Sequence, residues 1–99
     1  MKNNNNIHIL LIDIGFVYYE IYTCYVYKKE KIRFEIFLLD FGDMSGYVEY
    51  YRYLEILKTF KFNYRVQYNN LDELLLILND EKEFKSYFRK RKIEILLNI

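Results

Sequence analysis

Few residues in this chain have the type and spacing to do chemistry. His8 is the only histidine and Cys24 the only cysteine. A Ser-His-Asp or Cys-His nucleophilic set would have to recruit His8. Its neighbours Ile7, Ile9 and Leu10 read as a strand, so a hydrogen-bonded sheet or edge histidine is expected instead. Cys24 lies among tyrosines and reads as a small apolar packing residue. One Cys and one His cannot supply the usual zinc ligand set. Gly15, Gly42 and Gly46 are the only glycines and make no phosphate-cradling loop. The expectation is a chain without metal, cofactor or complete catalytic site, and not an enzyme.

Asp13 is the acid with the most to offer, because it interrupts the apolar run Leu11-Ile12-Asp13-Ile14-Gly15. The plain reading is an aspartate that ends a strand by bonding turn amides. The alternative comes from the order of elements. An aspartate ending a first strand, then a meander, a helix and a further strand, resembles the ribonuclease H-like superfamily over residues 7–75, with the local motif D-x-G at Asp13-Ile14-Gly15. That resemblance implies a metal-dependent nuclease in which other carboxylates converge on Asp13. The matching positions are Glu49 or Glu55 on the first helix and Asp72 after the fourth strand. Paired divalent ions held there would activate water and stabilise the leaving oxygen. The strand after Phe60 ends in Tyr68-Asn69-Asn70, where the superfamily would place an acid.

Arg89-Lys90-Arg91-Lys92, preceded by Tyr87 and Phe88, is the one basic cluster. It is a candidate phosphate-binding run, with rings available to stack on bases. The competing and preferred reading is the solvated end of a helix, whose C-terminal dipole favours cations while Glu81 and Glu83 sit at its start.

Tyrosine is the larger anomaly, with 12 in 99 residues. Tyr18, Tyr19, Tyr22, Tyr25 and Tyr27 fall on one predicted strand and occupy both of its faces. Tyr50, Tyr51 and Tyr53 point three ways around a predicted helix. So small a core cannot hide them all. Exposed tyrosines give large contact area at low entropy cost, which suits an interface. Tyr18, Tyr22, Tyr25, Tyr50 and Tyr53 are therefore candidate anchors for a partner, with Glu49 and Arg52 at the rim. The competing account is a coding bias of an AT-rich genome. It predicts scattered rings, where an interface predicts a contiguous patch.

The elements that must position these residues follow from periodicity. Residues 7–14 (IHILLIDI) read as a strand covered on both faces. Residues 16–41 read as a long hairpin turning at Lys28-Lys29-Glu30-Lys31. Asp43 or Ser45 can cap a helix carrying Tyr47, Tyr50, Leu54 and Leu57 as one stripe. Residues 60–68 alternate as a half-exposed strand. Asn70-Leu71-Asp72-Glu73 is a capping-box pattern opening a helix through Leu78, and Asp80-Glu81-Lys82-Glu83 opens another through about Lys90. Ile93 and Ile95 favour a closing strand over residues 92–99 rather than a helical continuation. The expected fold is α+β: a three-strand antiparallel meander plus a fourth strand, two or three helices on one face, order β-β-β-α-β-α-α with an optional final β. Residues 1–6 read as a flexible polar tail and 7–99 as one domain.

Composition bounds the rest. The chain is 53% hydrophobic and 29% charged, a folding composition, and its net charge of +1 steers it toward no polyanion. The second half carries the basic excess. The Met1-Lys2 start followed by four asparagines is not a signal peptide, and no apolar run approaches the roughly 20 residues of a membrane span. The lone cysteine gives no reason to expect secretion. A soluble protein of the host-cell cytoplasm is expected. Small size, AT-rich coding and missing catalytic motifs together resemble anti-CRISPR proteins and similar phage or mobile-element inhibitors. The resemblance implies a stoichiometric inhibitor that covers a surface on a larger protein or nucleoprotein, with no membrane role. Direct nucleic-acid binding through Arg89–Lys92 and a homodimer formed by open hairpin edges are the other partnerships the sequence allows.

Overall fold

The computed structural model describes residues 2–40 and 45–90. It is α+β, with five antiparallel strands in one sheet of sequential order. Helix α1 (Lys2–Ile14) leads into β1 (Val17–Tyr19) and a 3-10 turn, Glu20–Tyr22. Then come β2 (Cys24–Lys29), β3 (Ile32–Asp40), β4 (Ser45–Leu54) and β5 (Thr59–Tyr68). Helix α2 (Leu71–Asp80), a 3-10 turn (Lys82–Phe84) and helix α3 (85–90) complete the described chain.

Three sequence expectations change. Residues 7–14 are helix, not strand. Ile7, Leu10, Leu11 and Ile14 recur at helical spacing and face the core, while Ile9 and Ile12 are exposed. A short apolar run reads equally well as a covered strand, and here the 3.6-residue stripe wins. The helix begins at Lys2, so the backbone of the asparagine run belongs to its first turns.

The predicted strand 16–28 folds back on itself. The turn at 20–23 pairs Val17 with Val26 and Tyr19 with Cys24, so β1 and β2 form their own hairpin. Residues 47–57 are not a helix. Gly46, Val48 and Tyr50 face the helices while Tyr47, Glu49, Tyr51 and Tyr53 face the other way, the period of a strand. Tyrosine and valine favour the pleated surface, and pairing with both β3 and β5 overrides the three- and four-residue spacing.

Other expectations hold. β3 returns after a tight turn at Glu30, whose φ is 54°. α2 opens on its capping box: Asn70 accepts from the Glu73 amide at 2.9 Å, and the Glu73 carboxylate accepts from the Asn69 amide at 2.8 Å. The helices pack on one face of the sheet as predicted. Ile7 and Leu11 from α1, Leu74 and Leu78 from α2, and Phe84 and Phe88 bury Phe34, Ile36, Val48 and Tyr68. Each such side chain contributes about 1.5–3 kcal/mol when fully withdrawn from water. The expected closing strand lies outside the described residues, as does Asp43.

One glycine is demanded by the sheet. A Cβ on Gly46 would lie 1.8 Å from the Phe37 carbonyl oxygen and 2.7 Å from the Tyr68 hydroxyl. That hydroxyl donates to the same carbonyl at 2.7 Å, so β3, β4 and β5 close around this point.

Candidate functional site

The tyrosines divide by face. Tyr18, Tyr25, Tyr27, Tyr50, Tyr64 and Tyr68 turn toward the helices. Their rings fill the core and several of their hydroxyls are tied down. Tyr25 meets His8 Nδ1 at 2.9 Å, Tyr27 donates to Glu83, Tyr64 to Glu81, and Tyr68 to the Phe37 carbonyl. On α3, Tyr87 donates to Asp13 at 2.7 Å. Much of the tyrosine load is thus amphipathic core, with carboxylates of the helical layer as acceptors.

Tyr19, Tyr47, Tyr51 and Tyr53 lie on the opposite face, and Tyr22 joins them from the turn at 20–22. Among the described elements only the turn at 20–22 reaches over this face. The register sets three rows across it. The first is Tyr19, Cys24, Phe37, Tyr47 and Gln67. The second is Val17, Val26, Glu35, Glu49 and Arg65. The third is Lys28, Arg33, Tyr51 and Phe62. Phe60 and Tyr53 continue it at the far end. Phe62 reaches this face because Asn63 is an extra residue in β5: Tyr64 pairs with Tyr50 but Phe62 pairs with Tyr51. The strict alternation of residues 60–68 therefore does not put all its aromatics on one side. The rings of the first and third rows flank the charged second row, with Tyr22 72% and Phe62 49% exposed.

An ionic network sits at its centre. Glu49 is 5% exposed. Its carboxylate accepts from Arg65 Nε at 2.9 Å, Arg65 Nη2 at 2.6 Å and the Tyr51 hydroxyl at 2.7 Å. Burial first, then the bond to Glu49, raises the Tyr51 phenol well above its ordinary range. Arg33 Nε lies 2.7 Å from Glu35 Oε2. The buried N–H meets no acceptor in line, so the contact is ionic without being a good hydrogen bond. Glu35 and Glu49 are direct cross-strand partners, and so are Lys28 and Arg33. Like charges opposite each other cost stability. The arginines beside the acids offset the first pair. The carboxylates are sunk among the strands, while Arg65 keeps 55% of its side chain in solvent. The face therefore shows cations and rings outward and acids inward.

Ring geometry narrows what this surface can hold. Phe37 stacks on Tyr47 at 4.8 Å, and the Arg65 guanidinium lies 4.4 Å from the Tyr47 ring centre. Both ring faces of Tyr47 are thus occupied. Tyr51 meets Phe62, and Tyr53 meets Phe60, edge to face.

Of the anchors expected from sequence, Tyr22 and Tyr53 lie on this face with Glu49. Tyr25 is buried, and Tyr18, Tyr50 and Arg52 belong to the helix side of the sheet. Sequence reasoning missed Tyr19, Phe37, Tyr47, Tyr51, Phe62 and Arg65, because reading residues 16–28 as one strand and 47–57 as a helix concealed their register.

The carboxylates of the nuclease reading are not brought together. Asp13 sits on α1, Asp72 in the first turn of α2, and Glu49 on the far side of the sheet; Glu55 is in the β4–β5 turn, paired with Lys31. Among the described residues no three Asp, Glu, His or Cys side chains are grouped to hold a metal. The strand that would have presented Asp13 is helix α1, so the element order behind that resemblance is absent. His8 bonds Tyr25, on a helix rather than in a strand. Arg89 and Lys90 are exposed on α3; Arg91 and Lys92 lie outside the described residues. No described helix is long and apolar enough to cross a membrane. No family model, curated protein or solved structure matches the chain.

Proposed function

We propose that this chain is a binding protein that covers a surface on a larger protein or nucleoprotein and inhibits it stoichiometrically, as a phage or mobile-element inhibitor does, through the open face of its sheet. The observation that carries the reading is an open sheet face on which exposed aromatic rings flank a charged central row, opposite the face that carries the helices. Exposed rings left uncovered on a small domain mark interaction sites. Tyrosine, phenylalanine and arginine around a desolvated centre are the composition of binding hot spots. Outward cations over sunken carboxylates favour a partner with acidic groups around an apolar centre. The occupied faces of Tyr47 favour contact with protein side chains over base stacking.

The test is capture of partners from host lysate, with mass spectrometry, by the wild-type chain and three variants. Phe62→Asp and Tyr22→Asp place a charge on the open face; Ser86→Asp places one on α3. The expected result is one stoichiometric partner retained by wild type and Ser86→Asp but lost with both open-face variants, all four being equally folded by circular dichroism. Retention of that partner by both open-face variants would sink the proposal. So would recovery of no partner alongside a clean homodimer by light scattering.

A further inference from the structure

At one end of the open face the sheet holds a cleft of about 370 Å³. Tyr19, Tyr22, Phe37 and Val26 form its walls and Cys24, 3% exposed, its floor. Arg33 and Glu35 close one end, and Lys28 stands directly across from Arg33 on the next strand. The volume lies within the range of small-ligand pockets, and the aromatic walls suit one apolar side chain.

Two features suggest that the cleft is built. The first is Thr23, a β-branched residue held at φ 49° and ψ 51°. That left-handed conformation is costly for such a side chain and persists only where surroundings enforce it. Here its amide donates to the Glu20 carbonyl at 3.1 Å and its carbonyl accepts from the Leu38 amide at 3.3 Å. The pinned turn carries Tyr22 over Cys24. The second is the cationic rim. Lys28 and Arg33 are cross-strand neighbours of like charge, a pairing that costs stability. Arg33 has Glu35 beside it but also a buried N–H without an in-line acceptor. Lys28 has only the Phe60 ring, 5.1 Å away, and no carboxylate among the described residues.

From these we infer that the cleft receives an apolar side chain of an acidic peptide segment in the partner, with the adjoining carboxylate bound between Lys28 and Arg33. The inference rests on the open-face reading and deepens it: the partner's anchor is an aromatic or large aliphatic residue flanked by Asp or Glu. Such a carboxylate would relieve the repulsion between the two cations.

The test is a titration of the isotopically labelled full chain, followed by amide chemical shifts. The probes are a capped Asp-Phe-Asp tripeptide, its Lys-Phe-Lys and Asn-Phe-Asn counterparts, and inorganic phosphate. The acidic tripeptide is expected to move the signals of residues 19–26 and 33–37. The Lys-Phe-Lys peptide should bind at least about threefold more weakly, as the loss of one exposed ion pair implies. Lys28→Met should weaken the acidic peptide by a similar factor and flatten its salt dependence. Tyr22→Ala should weaken every Phe-centred peptide. Equal binding of the acidic and basic peptides, no effect of Lys28→Met, shifts confined to another region, or no shifts at all would each overturn the inference. Phosphate binding as tight as the acidic peptide would also overturn it, because the apolar walls would then contribute nothing. If the cleft fails these tests while Phe62→Asp still abolishes partner capture, only the cleft assignment falls and the open-face reading stands.

Discussion

Replacing tyrosine by phenylalanine deletes one oxygen and keeps the ring, so a series of such changes reads the hydroxyls alone. Tyr68 is fully buried and donates to the Phe37 carbonyl at 2.7 Å. Tyr68→Phe removes a neutral hydrogen bond worth about 1 kcal/mol and leaves a buried acceptor short of its donor, at roughly 1–3 kcal/mol if nothing replaces it. A loss of about 1.5 kcal/mol is expected, or about 6–12 °C in Tm for a domain of this size. Tyr27→Phe and Tyr64→Phe release carboxylates at the edge of the helical layer, Glu83 and Glu81, which water can reach. Their loss should be smaller, about 0.5–1 kcal/mol. Tyr19→Phe and Tyr22→Phe touch exposed hydroxyls and should stay within about 0.5 kcal/mol of wild type. Urea unfolding followed by circular dichroism measures all five on one scale. If Tyr68→Phe and Tyr22→Phe are equally stable, the division of the tyrosines into a hydroxyl-anchored core set and a free face is wrong. The same division makes Tyr22→Ala nearly neutral for stability and damaging for partner capture.

Three further outcomes are expected. Gly46→Ala should collapse the β3–β4–β5 junction at a cost above about 3 kcal/mol, because the clash is with the Phe37 backbone rather than a movable side chain; loss of a cooperative unfolding transition would show it. Asn70→Ala removes the cap on α2 and should cost about 1 kcal/mol, read by the shift of the urea midpoint at unchanged slope. Stability should also fall in alkali. Burial, then neighbouring Tyr18, raises the Tyr25 phenol from 10.0 to about 12, and burial is the leading cause that lifts Tyr27, Tyr51, Tyr64 and Tyr68 as well. A folded-state value above the unfolded one means the contribution is complete below about pH 10 and lost as pH rises through the folded value. Unfolding midpoints should hold steady from neutral to about pH 9.5 and drop beyond it, with phenolate absorbance from these rings appearing only as the chain unfolds.

The alkaline behaviour also bears on Cys24. Burial first, then the charge of Glu35, pushes its thiol from 9.0 to about 12. It should react slowly with alkylating agents at neutral pH.

What the sequence determined is local. The cap at Asn70, the turn at Glu30, the strand character of residues 60–68 and the helix-over-sheet class are all written in neighbouring residues, because caps, turns and short-range periodicity involve contacts a few positions apart. Residues 7–14 and 47–57 were not decided that way. Ile7-Leu10-Leu11-Ile14 and Tyr47-Tyr50-Leu54 both fit two periods, and only the packing of α1 on the sheet and the pairing of β4 between two neighbours choose one. The site lies wholly on that second level. Glu49, Arg65, Tyr47 and Phe37 come from three strands and meet only once β4 is a strand in register with β3 and β5. The bulge at Asn63 then moves Phe62 to their side. The tyrosine excess was legible from composition, but which rings serve the core and which remain for a partner depends on the face each strand turns outward. Local sequence does not set that; burial against helices from both ends of the described chain does.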